Sequence, residues 1–376
     1  MKKVAVLGAT GSVGTQAIEV IRANSAALCL CAAACHRQWE KLVETVAPLR
    51  PATLITATEN APLRYAWGEE TVTVYRGKDA MTRYAREGDY DILLVAVTGI
   101  HGLAPTLAAL ERGKTVALAN KETLVCGGHL VRKALVKGGK LVPVDSEHSA
   151  IHQCLKGEES ASVEKLILTC SGGALRSVPI ADLAKATPQE VLAHPNWSMG
   201  NKITVDCATM VNKGFEVVEA HYLFNLPYED IEVLLHPECT VHSMVELVDG
   251  AVMAQLGTPD MRLPIQYSLT YPLRLPSLCA KLSLAGKSLH FQAVDGERYP
   301  CFGEVLRAAS RGPAALVALN AADEYLVEQF LLGHIQYGQI HTLLAKATAP
   351  FSGDCATLEE VLAVDEKARL YVRSLL

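Results

Sequence analysis

Asn212-Lys213-Gly214-Phe215-Glu216 and His194-Pro195-Asn196-Trp197-Ser198-Met199-Gly200 hold the residue types best suited to chemistry in this chain. On a helix, Asn212, Lys213 and Glu216 fall along one stripe and offer a neutral donor, a cation and a carboxylate to the same space. The plain alternative is an i,i+3 ion pair worth only ~0.3 kcal/mol on a helix surface. Trp197 and Met199 form a large apolar pair between Pro195 and Gly200, with neither a helical nor a strand period. Such a pair needs something to cover, as a lid closing over a bound ligand does. His194 can donate to an anionic oxygen or satisfy a buried loop.

Asp145 and Glu147 lie two apart after the apolar Leu141-Val142-Pro143-Val144, so at a strand end both side chains point to one side. With Glu216 they make three hard oxygen ligands, a cradle for Mg2+ or Mn2+ that leaves positions open for substrate oxygens. An exposed turn capping a helix that begins near Ser149 is the competing arrangement. Ser171-Gly172-Gly173 follows an apolar strand and supplies a hydroxyl and backbone N–H groups, a nest for phosphate or simply a tight turn.

These groups need elements to hold them. Val4-Ala5-Val6-Leu7, then Gly8-Ala9-Thr10-Gly11-Ser12-Val13-Gly14, then a helical 15–23 read as strand, glycine turn and helix. The glycines let the backbone approach a pyrophosphate, and the helix N-terminus presents unpaired N–H groups with partial positive charge. The spacing GxxGxxG is a variant of the dinucleotide fingerprint. A second strand over 28–34 ends at Cys35-His36-Arg37-Gln38, where an NAD enzyme usually carries an acid for the ribose 2′-hydroxyl. No carboxylate stands there; Arg37 suits a 2′-phosphate and favours NADP, with a solvated surface charge as the alternative. Strands at 53–55, 92–97 and 115–119, separated by helix-like text, complete a doubly wound pattern. Ala119-Asn120-Lys121-Glu122 then sits at a strand's carboxyl end, where open sheets bind ligands. Further on, 165–169 and 231–235 read as strands and 272–300 as an irregular connection. Helical text returns over 304–309 and 314–332, with Leu316, Leu319, Leu326 and Phe330 on one apolar face.

At 376 residues the chain exceeds one core, since ~150 residues per domain is usual. A net charge of −5 without long single-sign runs argues against a nucleic-acid partner. Glycines interrupt the N-terminal apolar run too early for a signal peptide, and 92–110 is broken by Thr98, Gly99, His101, Gly102 and Pro105, which speaks against a membrane span. The eleven cysteines include no CxxC pair. Cys29, Cys31, Cys35 and His36 read as small apolar residues of a strand rather than a zinc site, and so many thiols suit a reducing cytoplasm.

Taken together these segments resemble the 1-deoxy-D-xylulose 5-phosphate reductoisomerase family. The motifs are Gly8 through Gly14, Leu118-Ala119-Asn120-Lys121-Glu122, Val144-Asp145-Ser146-Glu147-His148, Ser171-Gly172-Gly173, the 194–200 segment and Thr209-Met210-Val211-Asn212-Lys213-Gly214. His236-Pro237, Val241-His242-Ser243-Met244-Val245, Gly257-Thr258-Pro259-Asp260-Met261-Arg262 and Leu319-Asn320-Ala321-Ala322 extend the likeness over nearly the whole chain. The resemblance implies an α/β protein: a Rossmann-like doubly wound domain over 1–145, an α+β catalytic domain over 146–277, a linker over 278–303 and a small helical domain over 304–376. It implies a homodimer that uses NADPH and Mg2+ or Mn2+ to rearrange and reduce 1-deoxy-D-xylulose 5-phosphate to 2-C-methyl-D-erythritol 4-phosphate for isoprenoid synthesis. By the same likeness Asp145, Glu147 and Glu216 hold the metal, and Ser146 and Lys121 face the substrate skeleton. Ser171, Cys207, Asn212 and Lys213 hold the phosphate, while His194 and Trp197 close over the sugar. Thr10, Gly11, Ser12, Val13, His36, Arg37, Gln38, Asn120, Lys121, Glu122 and Gly200 line the cofactor. Lys121, Glu147, His194 and Lys213 are the catalytic set.

Two departures stand out. Asp206-Cys207-Ala208 replaces the family's usual Asp-Ser-Ala, exchanging a hydroxyl donor for a weak thiol donor. Cys35-His36-Arg37-Gln38 differs from the more usual glycine, basic residue and Asn. Two rivals share the N-terminal pattern: an aspartate-semialdehyde dehydrogenase, which needs an activated Cys with a His base, and a non-catalytic NADP sensor. Cys126, Cys154, Cys207 and Cys239 lack an evident activating setting, and either rival leaves the carboxylates idle.

Overall fold

Val4-Ala5-Val6-Leu7 has no polar alternation, the text of a strand covered on both faces, and all four side chains are fully buried in β1 (Lys2–Leu7). The computed structural model describes residues 1–197 and 199–376; Ser198 of the 194–200 motif lies outside the described residues. Contacts group the chain into two units. One comprises Met1–Thr123, Val131–Ser149 and Asp260–Ala280; the other comprises Leu124–Leu130, Ala150–Pro259 and Lys281–Leu376.

In the first unit β1 is joined by β2 (Leu28–Cys35), β3 (Thr53–Thr56), β4 (Arg64–Trp67), β5 (Glu70–Arg76), β6 (Ile92–Val95), β7 (Thr115–Leu118) and β8 (Lys140–Pro143). Their order is β4-β5-β3-β2-β1-β6-β7-β8, and every pairing is parallel except β4 with β5. The chain winds outward from β1 to β3, returns, and winds the other way from β6 to β8. This is the doubly wound order, with its switch point between β1 and β6. β4 and β5 carry no strong sequence signal, because their exposed edge positions are charged or polar. The core gathers Val4, Val6, Ile18, Ile21, Leu30, Leu54 and Leu94, and the helix Arg262–Thr270 adds Ile265 and Leu269.

The second unit holds β9 (Val163–Cys170), β10 (Ile231–Leu235), β11 (Val241–Leu247), β12 (Val252–Leu256) and the short β13 (Gln292–Ala293). The order is β12-β11-β9-β10-β13, with only β9 and β10 parallel. The helices Pro300–Arg311, Pro313–Leu331, Tyr337–Thr348 and Leu358–Arg373 follow. Leu316, Leu319, Leu326 and Phe330 do share a buried face, packed in one core with Val205, Val211 and Phe215.

One local expectation needs correcting. Asp145 and Glu147 do not share a strand face, because β8 stops at Pro143 and the helix Ser146–Cys154 begins three residues on. Ser149 N–H donates to the Asp145 carbonyl at 2.8 Å, so helical bonding starts at Asp145. Glu147 lies in the first turn, where the helix dipole favours a carboxylate. That helix starts at Ser146 rather than near Ser149, and the helix after β1 starts at Ser12 rather than at 15. Strands β6 and β7 end at Val95 and Leu118, one or two residues short of their expected limits.

Candidate active site

The first unit gathers its candidate residues along the carboxyl ends of β1, β2, β7 and β8. Gly8 has φ +88°, and a Cβ there would sit 2.3 Å from the Ala96 carbonyl oxygen just past β6. A Cβ on Gly14 would meet the Gly8 oxygen at 2.1 Å. Only glycine therefore lets the turn press into the switch point, with Gly11 and Ser12 exposed at the start of the helix Ser12–Ala23. His36, Arg37 and Gln38 are exposed just beyond β2, and the His36 ring stacks on His101 at 6.3 Å. Burial, aided by Arg37 and His101, lowers the His36 pKa.

Past β7, the Asn120 amide donates to the Gly99 carbonyl at 3.0 Å and to Glu122 at 2.6 Å, and its oxygen accepts from the Thr123 N–H at 3.1 Å. This network fixes the loop so that Lys121 Nζ lies 2.8 Å from Asp145 Oδ2. Asp145 is 9% exposed. Burial works to raise its pKa, but Lys121 and His148 outweigh burial and hold the carboxyl well below the usual carboxylate range. Ser146 donates its hydroxyl to Glu147 at 2.6 Å. Lys121, Asp145, Ser146 and Glu147 thus form one charged group.

In the second unit the helix Val211–Phe224 carries the predicted stripe. The Asn212 amide donates to Glu216 Oε1 at 2.6 Å, Lys213 pairs with Glu216 Oε2, and Lys213 also donates to the Thr169 carbonyl on β9 at 2.7 Å. Lys213 is 4% exposed and Glu216 1%. A surface ion pair is ruled out.

Ser171, at the end of β9, and His194 meet at 2.9 Å. His194 Nδ1 accepts the backbone N–H groups of Asn196 at 3.2 Å and Trp197 at 3.0 Å, which assigns the ring proton to Nε2, donated to Ser171 Oγ. Gly173 N–H also donates to that oxygen, at 3.1 Å. Both Ser171 lone pairs are then used, and its hydroxyl proton is directed to a further acceptor. Gly172 and Gly173 have φ +78° and +71°, and a Cβ on Gly173 would sit 2.6 Å from Ala208 Cα, so the turn lies directly on the Cys207-Ala208 backbone.

Other residues of this unit carry no advance sequence signal. Tyr299 and Tyr337, from the C-terminal helices, donate to the Gly172 and Ala208 carbonyls at 2.9 Å each. His242 lies beside Trp197, ring centroids 6.3 Å apart, and burial, with His236 and Lys213 adding, pushes its pKa down to about 4. A histidine within an apolar strand reads as core, so only the fold reveals that it supports the tryptophan.

A switch-point glycine turn, a buried lysine–carboxylate stripe and a serine–histidine turn under a tryptophan loop define a class: a Rossmann-type α/β enzyme acting on an anionic small molecule. Comparison with known proteins is more specific. Residues 4–128 match the 1-deoxy-D-xylulose 5-phosphate reductoisomerase family model, and residues 141–224 and 256–371 match models of that family's C-terminal domains. The 1-deoxy-D-xylulose 5-phosphate reductoisomerase of Geobacillus kaustophilus is 48% identical over the full length of both chains. The Zymomonas mobilis reductoisomerase in complex with NADPH is 36% identical, with a TM-score of 0.91 covering 100% of this chain and 98% of that one. A DOX-P reductoisomerase in complex with NADPH, fosmidomycin and magnesium is 35% identical, with the same TM-score and coverage. The chain belongs to the 1-deoxy-D-xylulose 5-phosphate reductoisomerase family.

Proposed function

We propose that the chain converts 1-deoxy-D-xylulose 5-phosphate to 2-C-methyl-D-erythritol 4-phosphate, using NADPH and Mg2+ or Mn2+, as a step of isoprenoid precursor synthesis. The observation that carries this reading is the buried Asn212, Lys213 and Glu216 stripe in a full-length member of the family. Burying an ammonium and a carboxylate costs more than their mutual attraction returns in stability, so such a pair is better explained by a ligand. The NADPH, magnesium and fosmidomycin held by solved relatives support the same cofactors and a small phosphorylated ligand here.

The residues fit both groups. Asp145, Glu147 and Glu216 are hard carboxylate donors, the chemistry a divalent magnesium or manganese ion takes. The Gly8 turn and the N-terminus of the helix Ser12–Ala23 suit a pyrophosphate, with Thr10, Gly11, Ser12 and Val13 against it and His36, Arg37 and Gln38 near the 2′-phosphate. Asn120, Lys121, Glu122 and Gly200 complete the cofactor lining. When bound, the cation stabilises charge developing on substrate oxygens and the nicotinamide supplies hydride.

The protein's own groups do the rest. Lys121 holds Asp145 ionised, and Ser146 orients Glu147. Lys213 and Asn212 exchange their Glu216 contacts for substrate phosphate, Ser171 gives its spare hydroxyl proton to the same anion, and Cys207 adds a weak donor. His194 ties that serine to the backbone of the Trp197 loop, so phosphate capture and lid closure act together and exclude water.

Among the described residues no helix is long and apolar enough to cross a membrane, and all eleven cysteines are free, which supports a cytoplasmic location. The negative net charge supports a partner set without nucleic acid. A homodimer fits β12, the edge strand of its sheet, whose Val252 and Met253 are about half exposed. Product analysis tests the activity: with NADPH and Mg2+, NMR should identify the branched 2-C-methyl-D-erythritol 4-phosphate. A linear reduced sugar phosphate would overturn it.

A further inference from the structure

We propose that Lys202, Asp206 and Asp323 form a proton-sharing lock that sets the position of the helix Asn201–Thr209, making all three positioning residues. The inference rests on the activity proposed above, because that helix has Gly200 as its N-cap and carries Cys207 near its end.

Lys202 Nζ lies 2.6 Å from Asp206 Oδ2 and 2.7 Å from Asp323 Oδ2. It also lies 5.3 Å from the centre of the Phe215 ring. One ammonium therefore ties the helix Asn201–Thr209 both to Pro313–Leu331 and to Val211–Phe224, the helix bearing Asn212, Lys213 and Glu216. Asp323 is fully buried and Asp206 nearly so. Two carboxylates against one ammonium leave an uncompensated negative charge, which is expensive in a low dielectric.

A single proton shared between Asp206 and Asp323 makes the cluster neutral. Asp206 is a hydrogen-bonding neighbour of Asp323, and Asp323 Oδ1 receives no donor among the described residues, which leaves a place for that proton. Burial raises the Asp323 pKa against the pull of Lys202, and Glu324 adds to the rise. From the helix Pro300–Arg311 the cluster faces Cys301, whose thiol is held neutral by burial and by Asp323, with Glu304 and Arg307 beyond it. Glu324 is itself paired with Arg369 at 2.7 Å. A carboxyl raised in the folded state gives stability that is full at low pH and lost as pH rises through its folded value. Alkaline pH thus ionises both acids and loosens the helix.

The test uses the full-length protein with NADPH, Mg2+ and 1-deoxy-D-xylulose 5-phosphate, reading Tm, kcat and KM from mildly acidic to alkaline pH. Asp323→Asn keeps a hydrogen-bonding group without a charge; it should flatten the alkaline fall in Tm and retain kcat. Lys202→Met should lower kcat/KM by about 100-fold at alkaline pH, through misplacement rather than lost contact. Adding Asp323→Asn to Lys202→Met should restore at least about tenfold of that loss. An Asp323→Asn variant with the wild-type slope of Tm against pH overturns the lock, as does a Lys202→Met variant with wild-type kcat/KM throughout. Should Lys202→Met fail to fold, the Asp323→Asn slope decides alone. Wild-type protein without turnover would count against the activity, while the Tm comparison would still judge the lock.

Discussion

Glu216 accepts from Asn212 and pairs with Lys213 while almost wholly buried, so its charge is set for a cation rather than for solvent. Glu216→Gln keeps the shape and removes that charge. Since even outer partners of metal ligands are worth 10–100-fold, its kcat/KM should fall by more than about 100-fold. The Kd for NADPH should stay near wild type; near-normal turnover would remove Glu216 from the metal site. Cys207→Ser restores a hydroxyl donor, worth roughly 1.5 kcal/mol to a charged group, and should lower the substrate KM about tenfold. An unchanged KM would mean the thiol position is already compensated. His194 gives a pH prediction. Burial lowers its pKa, with Arg176 adding, so the folded loop favours the neutral ring. Its contribution is present above the ordinary imidazole range and lost as pH falls. Protonating Nδ1 removes the acceptor shared by the Asn196 and Trp197 amides. Trp197 fluorescence, with Trp39 and Trp67 replaced by Phe, should change on acidification in the parent and not in His194→Ala; identical responses would contradict the coupling.

At the level of elements, the glycine turn after β1 is the most constrained feature. Gly8→Ala places a methyl group 2.3 Å from the Ala96 oxygen at a positive φ, so it should destabilise the protein by at least about 1 kcal/mol and weaken NADPH binding. A variant with wild-type Tm and NADPH affinity would contradict this. That turn was legible in the sequence because glycine spacing directly encodes close approach. Strands β1, β2, β3, β9 and β10 were legible because buried strands read as apolar runs. β4, β5 and β12 were not, since exposed edges mix polar and apolar residues. The start of the helix Ser146–Cys154 was also hidden: Asp-Ser-Glu suits a strand end and a helix N-terminus equally, and Pro143 decided between them by ending β8. Asn212, Lys213 and Glu216 were legible from helical period alone, whereas Tyr299, Tyr337 and His242 reach their partners only through long-range packing.

At the scale of the whole molecule, β12 leaves an open edge with Val252 and Met253 exposed. Charged edge residues block strand addition, so the double variant Val252→Asp, Met253→Lys should sediment as a monomer where the wild type sediments as a dimer. A dimeric variant would place the interface elsewhere. The central claim is that Asp145, Glu147 and Glu216 hold one divalent cation at which a phosphorylated ketose is rearranged and then reduced. NADPH oxidation measured with 1-deoxy-D-xylulose 5-phosphate, before and after chelation and after adding back Mg2+ or Mn2+, tests it most directly. The account predicts oxidation only when substrate and metal are both present; undiminished oxidation in the chelated enzyme would contradict it.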